Sequence, residues 1–189
     1  LTSTIEEFRI DKRWLSFTQN TFYRRIIKIV NKKNISKWES ALLNATIYLG
    51  KAVLARSIWE AYLNRYIVLD ILLLNKGETG QENNLINRVD LLIGWIHEKK
   101  LTEKHMKRLY YLRNELFHKG TFSEITPVDV INLDTIVKNV LYNVVNLNKH
   151  FKSKEDIIIF SKKLEAYKIL NKQPIRPKNL IFYGNFRYN

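Results

Sequence analysis

Three residues combine types that together can handle phosphate esters: Arg113, Asn114 and His118, within the stretch from Leu109 to Gly120. An arginine guanidinium binds a phosphate through a planar fork of donors and neutralises its charge. A histidine titrates at about 6.5 when unperturbed, so near neutrality it can take a proton from one oxygen and give one to another. An asparagine amide can orient the imidazole or the scissile phosphate. RNA suits such a set. Its own 2′-hydroxyl is the nucleophile, so the reaction needs no cofactor, and few histidines and no cysteine do not count against it.

A helix over this stretch sets the geometry. At about 100° per residue, Leu109, Leu112 and Leu116 form one stripe, the expected core face. Asn114 and His118 each lie about 200° from Leu116 and four residues from each other, so they stack one above the other and point away from the core. Arg113 borders the core stripe. It precedes His118 by five residues, about 140° around the axis. The two therefore converge only if the helix loosens near Gly120 or a second subunit closes the site. Plainer readings stand beside this one. A histidine in the last helical turn favours the negative end of the helix dipole, and Arg113 can pair with a carboxylate elsewhere.

Neighbouring residues admit two readings each. Lys107, Arg108 and Lys119 can hold RNA phosphates or form a solvated helix end. Glu60, flanked by Arg56 and Asn64 at four-residue spacing, can support Arg113 or His118, or can belong to an Arg–Glu pair on a solvent strip. Tyr110 and Tyr111 can stack a base, but core or interface packing suits them better. His97 and His105 have no carboxylate cluster at metal-binding spacing and read as surface residues, so no metal site is expected. His150 reads as a helix-end residue. No Walker motif or paired-glycine dinucleotide fingerprint is present.

Helix signals dominate the elements that must position these residues. One helix is expected over 4–32, broken near Asn20. A second, long helix is expected from Ser36 to Leu74. It opens on a capping box of Ser36 and Glu39, with Gly50 as the place for a bend. Its C-terminal half is apolar on most sides, as in a helix buried between neighbours. A polar loop (75–83) and a short helix (84–98) follow. The next helix is capped by Thr102 and closed by Gly120. Thr126 and Pro127 open another, to Phe151, and Ser153 the last, to Asn171, ended by Pro174 and Pro177. The sum is an all-α, antiparallel helical bundle of five or six helices. It divides into an N-terminal helical extension (1–35), the bundle itself (36–172) and a basic, aromatic tail (173–189). The tail is either a nucleic-acid arm or a segment that docks on the bundle.

Composition narrows the classes. The 189 residues suffice for one core without staples. Cysteine is absent, which excludes a disulfide scaffold, a cysteine zinc site and a thiol nucleophile, and fits a reducing, cytoplasmic setting. Only 6 glycines and 3 prolines argue against a many-stranded β fold. A hydrophobic content of 46% argues against disorder. Lys+Arg is 32 against 18 for Asp+Glu, so the net charge is +14. That suits nucleic acid or an anionic membrane surface, or reflects a lysine- and asparagine-rich composition serving solubility. The excess spreads over residues 1–40, 97–119 and 162–189. The most apolar stretch, Tyr66 to Leu74, is interrupted by Asp70 and falls well short of the roughly 20 residues that span a bilayer, so no membrane partner is expected. No signal peptide is expected, because charges stud the first residues. The chain begins at Leu1 and fits a piece of a longer protein.

The run Arg113-Asn114-Glu115-Leu116-Phe117-His118 resembles the signature of the HEPN superfamily, an arginine followed by four to six residues and a histidine. A polar residue, often asparagine, follows the family's arginine directly, and Asn114 matches. The setting is similar too: the motif lies near the end of a helix, after a long apolar helix containing Trp59, Glu60, Ala61 and Tyr62. The resemblance covers roughly residues 36–152. It implies a HEPN-like bundle and a metal-independent endoribonuclease whose active site is composite at a homodimer interface. His118 would be the general acid/base, Arg113 the phosphate ligand and Asn114 the positioning residue. It further implies RNA as substrate, service in toxin–antitoxin or anti-phage (abortive-infection) defence, and an antitoxin or sensor domain as partner. Some members of that superfamily lack activity. Two alternatives from other classes therefore stand: a non-catalytic RNA-binding, ligand-sensing or oligomerisation module, and a protein-interaction bundle whose charge serves solubility.

Overall fold

The computed structural model describes residues 21–93, 99–120, 122–148 and 150–172. Every regular element among them is an α-helix: α1 (Thr21–Val30), α2 (Lys37–Val53), α3 (Ile58–Leu73), α4 (Gln81–Leu92), α5 (Lys99–Lys119), α6 (Pro127–Asn146) and α7 (Lys154–Ile169). The expectations for residues 1–20, His97 and the tail lie outside the described residues.

The core is built around α6. It packs against α1, α2, α3, α4 and α5 and buries Leu133, Ile136, Val137, Val140, Leu141 and Val144. Its start is specified locally. The Thr126 hydroxyl accepts from the Asp129 amide, the Asp129 carboxylate accepts from the Thr126 amide, and Pro127 fills the first turn. α2 and α3 fold back on each other as the most extensive helix pair, and α3 sits between α2 and α6. Tyr62, Tyr66, Leu69, Leu72 and Leu73 of α3 are fully buried. α1 lays Ile26 and Ile29 on the core through contacts with α2 and α6.

The single helix expected from Ser36 to Leu74 is two helices, which raises the number among the described residues to seven. Gly50 lies within α2, and the break comes after it, at 54–57. The Ser57 hydroxyl accepts from the Glu60 amide at 3.2 Å, and the Glu60 carboxylate accepts from the Arg56 amide at 3.2 Å. These side-chain bonds offer the backbone an alternative to continuing the helix. Arg65 seals the break from within. It donates to the carbonyls of Ala52 (3.0 Å) and Ala61 (2.9 Å) and pairs with Asp134 at 2.8 Å. Thr102 lies inside α5 rather than at its start. No helix among the described residues is long and apolar enough to cross a membrane.

Candidate functional site

α5 carries three rows of side chains. Met106, Leu109 and Leu112 are buried, and Leu116 packs partly against the core. The Tyr62 hydroxyl of α3 donates to the Leu109 carbonyl, which ties α5 to the bundle at that height. A second row, Tyr110, Arg113 and Phe117, runs along the edge of the core. A third, Tyr111, Asn114 and His118, faces outward, with Tyr111 and His118 exposed.

Arg113 is held on several sides. Its Nη1 donates to Asn114 Oδ1 at 3.0 Å. Its Nη2 lies 3.6 Å from Asp70 Oδ2 of α3, an ion pair too long for a good hydrogen bond. Aromatic rings flank the guanidinium: Phe117 at 4.8 Å, Tyr66 at 5.8 Å and Tyr110 at 6.0 Å from Cζ. A cation facing ring π-clouds gains electrostatic attraction without spending its N–H donors. Three buried polar atoms converge here without a hydrogen-bond partner: Arg113 Nε, Asp70 Oδ1 and the Tyr66 hydroxyl. Buried polar groups are normally paired, so this cluster sets the Arg113 corner apart from the rest of the core.

The charges are set by burial. Burial pushes the Asp70 carboxyl above its ordinary value of 3.8, and the cations of Arg113 and Lys154 offset only part of that. Lys154, at the start of α7, donates to the carbonyls of Leu74 (2.6 Å) and Asp70 (3.4 Å), and burial pulls its ammonium below the usual lysine range. Burial raises the Tyr66 hydroxyl well above its ordinary value, so it stays protonated and able to donate.

His118 lies in the last turn of α5, exposed and without a hydrogen bond or ion pair among the described residues. The helix stays regular to Lys119: the Gly120 amide still bonds the Leu116 carbonyl at 3.1 Å, and Gly120 then turns the chain at φ +64°. The motif therefore does not loosen. Within one chain Arg113 and His118 remain about 140° apart around the axis.

The flanking candidates fall elsewhere. Arg108 forks onto Asp129 of α6 (2.6 and 2.9 Å) and also reaches the Glu124 carbonyl at 3.3 Å. Lys119 pairs with half-buried Glu115 (3.0 Å), and Lys107 with Glu103 (2.8 Å) on exposed helix surface. Glu60 serves the start of α3 through its bond from the Arg56 amide. Trp59 meets Phe122, beyond the end of α5, at 5.9 Å between ring centroids. His105 is half-buried on α5 and His150 is exposed after α6. Among the described residues no group of three or more His, Cys, Asp or Glu side chains could hold a metal ion.

The chain matches no family model, no curated protein and no solved structure.

Two residues the motif does not contain, Asp70 and Tyr66, contribute to the setting of Arg113. Asp70 had a visible signal, an acid inside the most apolar stretch of the chain. A carboxylate there is costly unless it faces a cation. The identity of that cation was not readable, because Arg113 lies 43 residues further on.

Proposed function

We propose that this protein is a metal-independent endoribonuclease of HEPN type, with residues 36–172 as the HEPN-like bundle. The observation that carries the reading is the state of Arg113: a guanidinium at the edge of the core, gripped by rings and a long ion pair, with donors left over on the helix that also carries an exposed histidine. Those donors suit a phosphodiester, whose two non-bridging oxygens match the arginine fork. Cleavage would run through attack of the RNA 2′-oxygen on the adjacent phosphorus. The P–O5′ bond breaks, leaving a 2′,3′-cyclic phosphate and a 5′-hydroxyl. His118 moves the protons, from the 2′-hydroxyl or to the departing 5′-oxygen. Arg113 offsets the negative charge that develops on the phosphate, and Asn114 keeps one Nη of that guanidinium in place.

The regular end of α5 favours a second copy of the chain as the other half of the cleft. A two-fold interface sets a surface patch against itself, so two copies of Arg113 and His118 would flank one groove. Exposed aromatic and aliphatic side chains lie on the elements around it: Tyr111 and Phe117 on α5, Phe122 after it, Trp59 on α3, and Leu54, 82% exposed, at the α2–α3 break. A role in toxin–antitoxin or anti-phage defence, with an antitoxin or sensor domain as partner and a cytoplasmic location, is part of the same proposal and rests on the HEPN resemblance alone.

The test is incubation of wild type, His118→Ala and Arg113→Ala with a mixed RNA pool in EDTA, followed by end-group analysis. Wild type should leave cyclic phosphate ends, and both variants should leave the RNA intact while keeping the wild-type melting profile. Full cleavage by His118→Ala sinks the mechanism. A second reading, a non-catalytic RNA-binding, ligand-sensing or oligomerisation module, is favoured by one observation: no described residue fixes the His118 ring. RNA bound by wild type but never cut would select it.

A further inference from the structure

A second basic feature lies away from α3 and α5. Between residues 21 and 39 the chain carries Arg24, Arg25, Lys28, Lys32, Lys33 and Lys37, with Glu39 as the sole acid. α1 puts its apolar row, Phe22, Ile26 and Ile29, against the bundle, which leaves Arg24 and Lys28 exposed and Arg25 half-buried. Arg25, Lys28 and Lys32 then line a cleft of about 180 Å³, floored by Ile29 and closed by Glu39 of α2 and Asn148 beyond α6. The same end of the molecule gains more positive charge from the turn after α6. The Trp38 indole of α2 donates to the Phe151 carbonyl at 3.1 Å, which brings exposed Lys152 close to exposed Lys37.

Two negative features oppose an anion here, and both are too small to win. Arg25 reaches the cleft by bonding the Val145 carbonyl (2.7 Å) and Asn146 (3.4 Å), at the C-terminal end of α6, where the helix dipole contributes about half a negative charge. Glu39 contributes one more, and its bond from Lys32 keeps it ionised. Three lining cations against about one and a half negative charges leave the cleft positive. Among the described residues, Arg24, Lys28, Lys33 and Lys37 have no carboxylate partner, so they can exchange counterions for phosphates at no cost in broken ion pairs.

We propose that the α1–α2–α6 cleft is a backbone-binding site for single-stranded RNA, separate from the Arg113–His118 site and made by residues Arg25, Lys28 and Lys32. None of the residues lining the cleft belongs to α3 or α5, the helices that carry Asp70, Arg113 and His118. The cleft reads phosphate, not sequence, because its lining is chiefly hydrocarbon with cationic side chains around it and offers no set of base-edge partners. The choice of RNA over other polyanions rests on the ribonuclease reading above.

The test measures binding in a His118→Ala background, so that the probe survives. The probe is a fluorescein-labelled uridine oligonucleotide of about 20 nucleotides, titrated by anisotropy between about 50 and 200 mM salt. Lys28→Gln with Lys32→Gln should weaken binding several-fold and lower the slope of log affinity against log salt by about 1.4, since each single-strand phosphate contact contributes about 0.7. Glu39→Gln, which keeps a capping-box side chain at that position, should tighten binding. That opposite sign cannot arise from a damaged fold. Unchanged affinity and slope in both variants overturns the site. So does loss of binding to phosphatidylserine vesicles with RNA affinity intact, which would make the face a membrane surface. Wild-type cleavage with an unaltered slope in the variants removes this site alone. The expected slope changes without any wild-type cleavage remove the ribonuclease reading and leave the site standing.

Discussion

Arg113 on α5 and Asp70 on α3 face each other at 3.6 Å, and each keeps one buried polar atom without a hydrogen bond. A pair this loose does not saturate either group. It holds the guanidinium by charge without saturating its donors, as the proposed role of Arg113 as a phosphate ligand requires.

Asp70→Asn should therefore impair cleavage more than folding. Loss of the charge that aims Arg113 is expected to lower RNA cleavage by up to about 100-fold, the cost of misplacing a catalytic group by roughly an ångström. The pH dependence separates this from structural damage. The folded chain holds the Asp70 proton more tightly than the unfolded chain does, because the folded pKa is raised. Its contribution to stability is therefore whole below the ordinary value of 3.8 and is lost as pH rises through the folded value. Wild type should gain stability relative to Asp70→Asn as pH falls from neutrality. Urea melts of both proteins across that range check the sign, and a constant difference would remove the assignment.

Arg108→Ala and Arg113→Ala should behave differently although both delete a motif-region arginine. Arg108 is a structural fork on Asp129, and its loss should cost about 1 kcal/mol, near the top of the range for a pair whose arginine is 44% exposed. Burial pushes the Asp129 carboxyl up, but hydrogen bonds from Arg108 and Thr126 outweigh it and hold the group below its ordinary 3.8. The stability it adds is present above that value and lost as pH falls through the lower folded one. The wild-type advantage over Arg108→Ala should thus disappear on acidification, while RNA affinity changes little. A large loss of RNA binding with normal stability would reassign Arg108 to the RNA surface.

Tyr111→Glu probes the second copy. Tyr111 is 47% exposed on the face of Asn114 and His118, and a carboxylate there would be buried without a partner in any two-fold contact through that face. Sedimentation should show a dimer for wild type and a monomer for the variant, with cleavage lost in parallel. Wild type that is monomeric at concentrations where it cuts RNA contradicts the composite site.

Arg65→Ala should be the most destabilising of these changes. It removes the side-chain bond on the Ala52 carbonyl and leaves the Asp134 carboxylate with Lys138 alone, for about 2 kcal/mol. A urea midpoint within error of wild type would mean that water replaces those bonds.

Local codes were legible without coordinates. The Thr126–Pro127 start of α6, the Ser36–Glu39 start of α2 and the Gly120 turn are each determined by a few adjacent residues, and the structure has all three. The all-α class follows from the same kind of signal. The break between α2 and α3 was not legible, because an apolar run reads the same in one long helix or two. The break rests partly on Ser57, a local cap, but also on Arg65 reaching back to Ala52 once the two helices lie side by side.

The site divides in the same way. The sequence by itself determined that an arginine, an asparagine and a histidine share one helix, and that their spacing keeps Arg113 and His118 on different faces. Only the tertiary structure decided which cations are free. It committed Arg108 to Asp129, put Asp70 beside Arg113 across 43 residues of sequence, and gathered Arg25, Lys28 and Lys32 into one cleft at the end of α6. The physical reason is that helix spacing acts over a few residues, whereas the partner of a charge is set by burial and by which helices pack together.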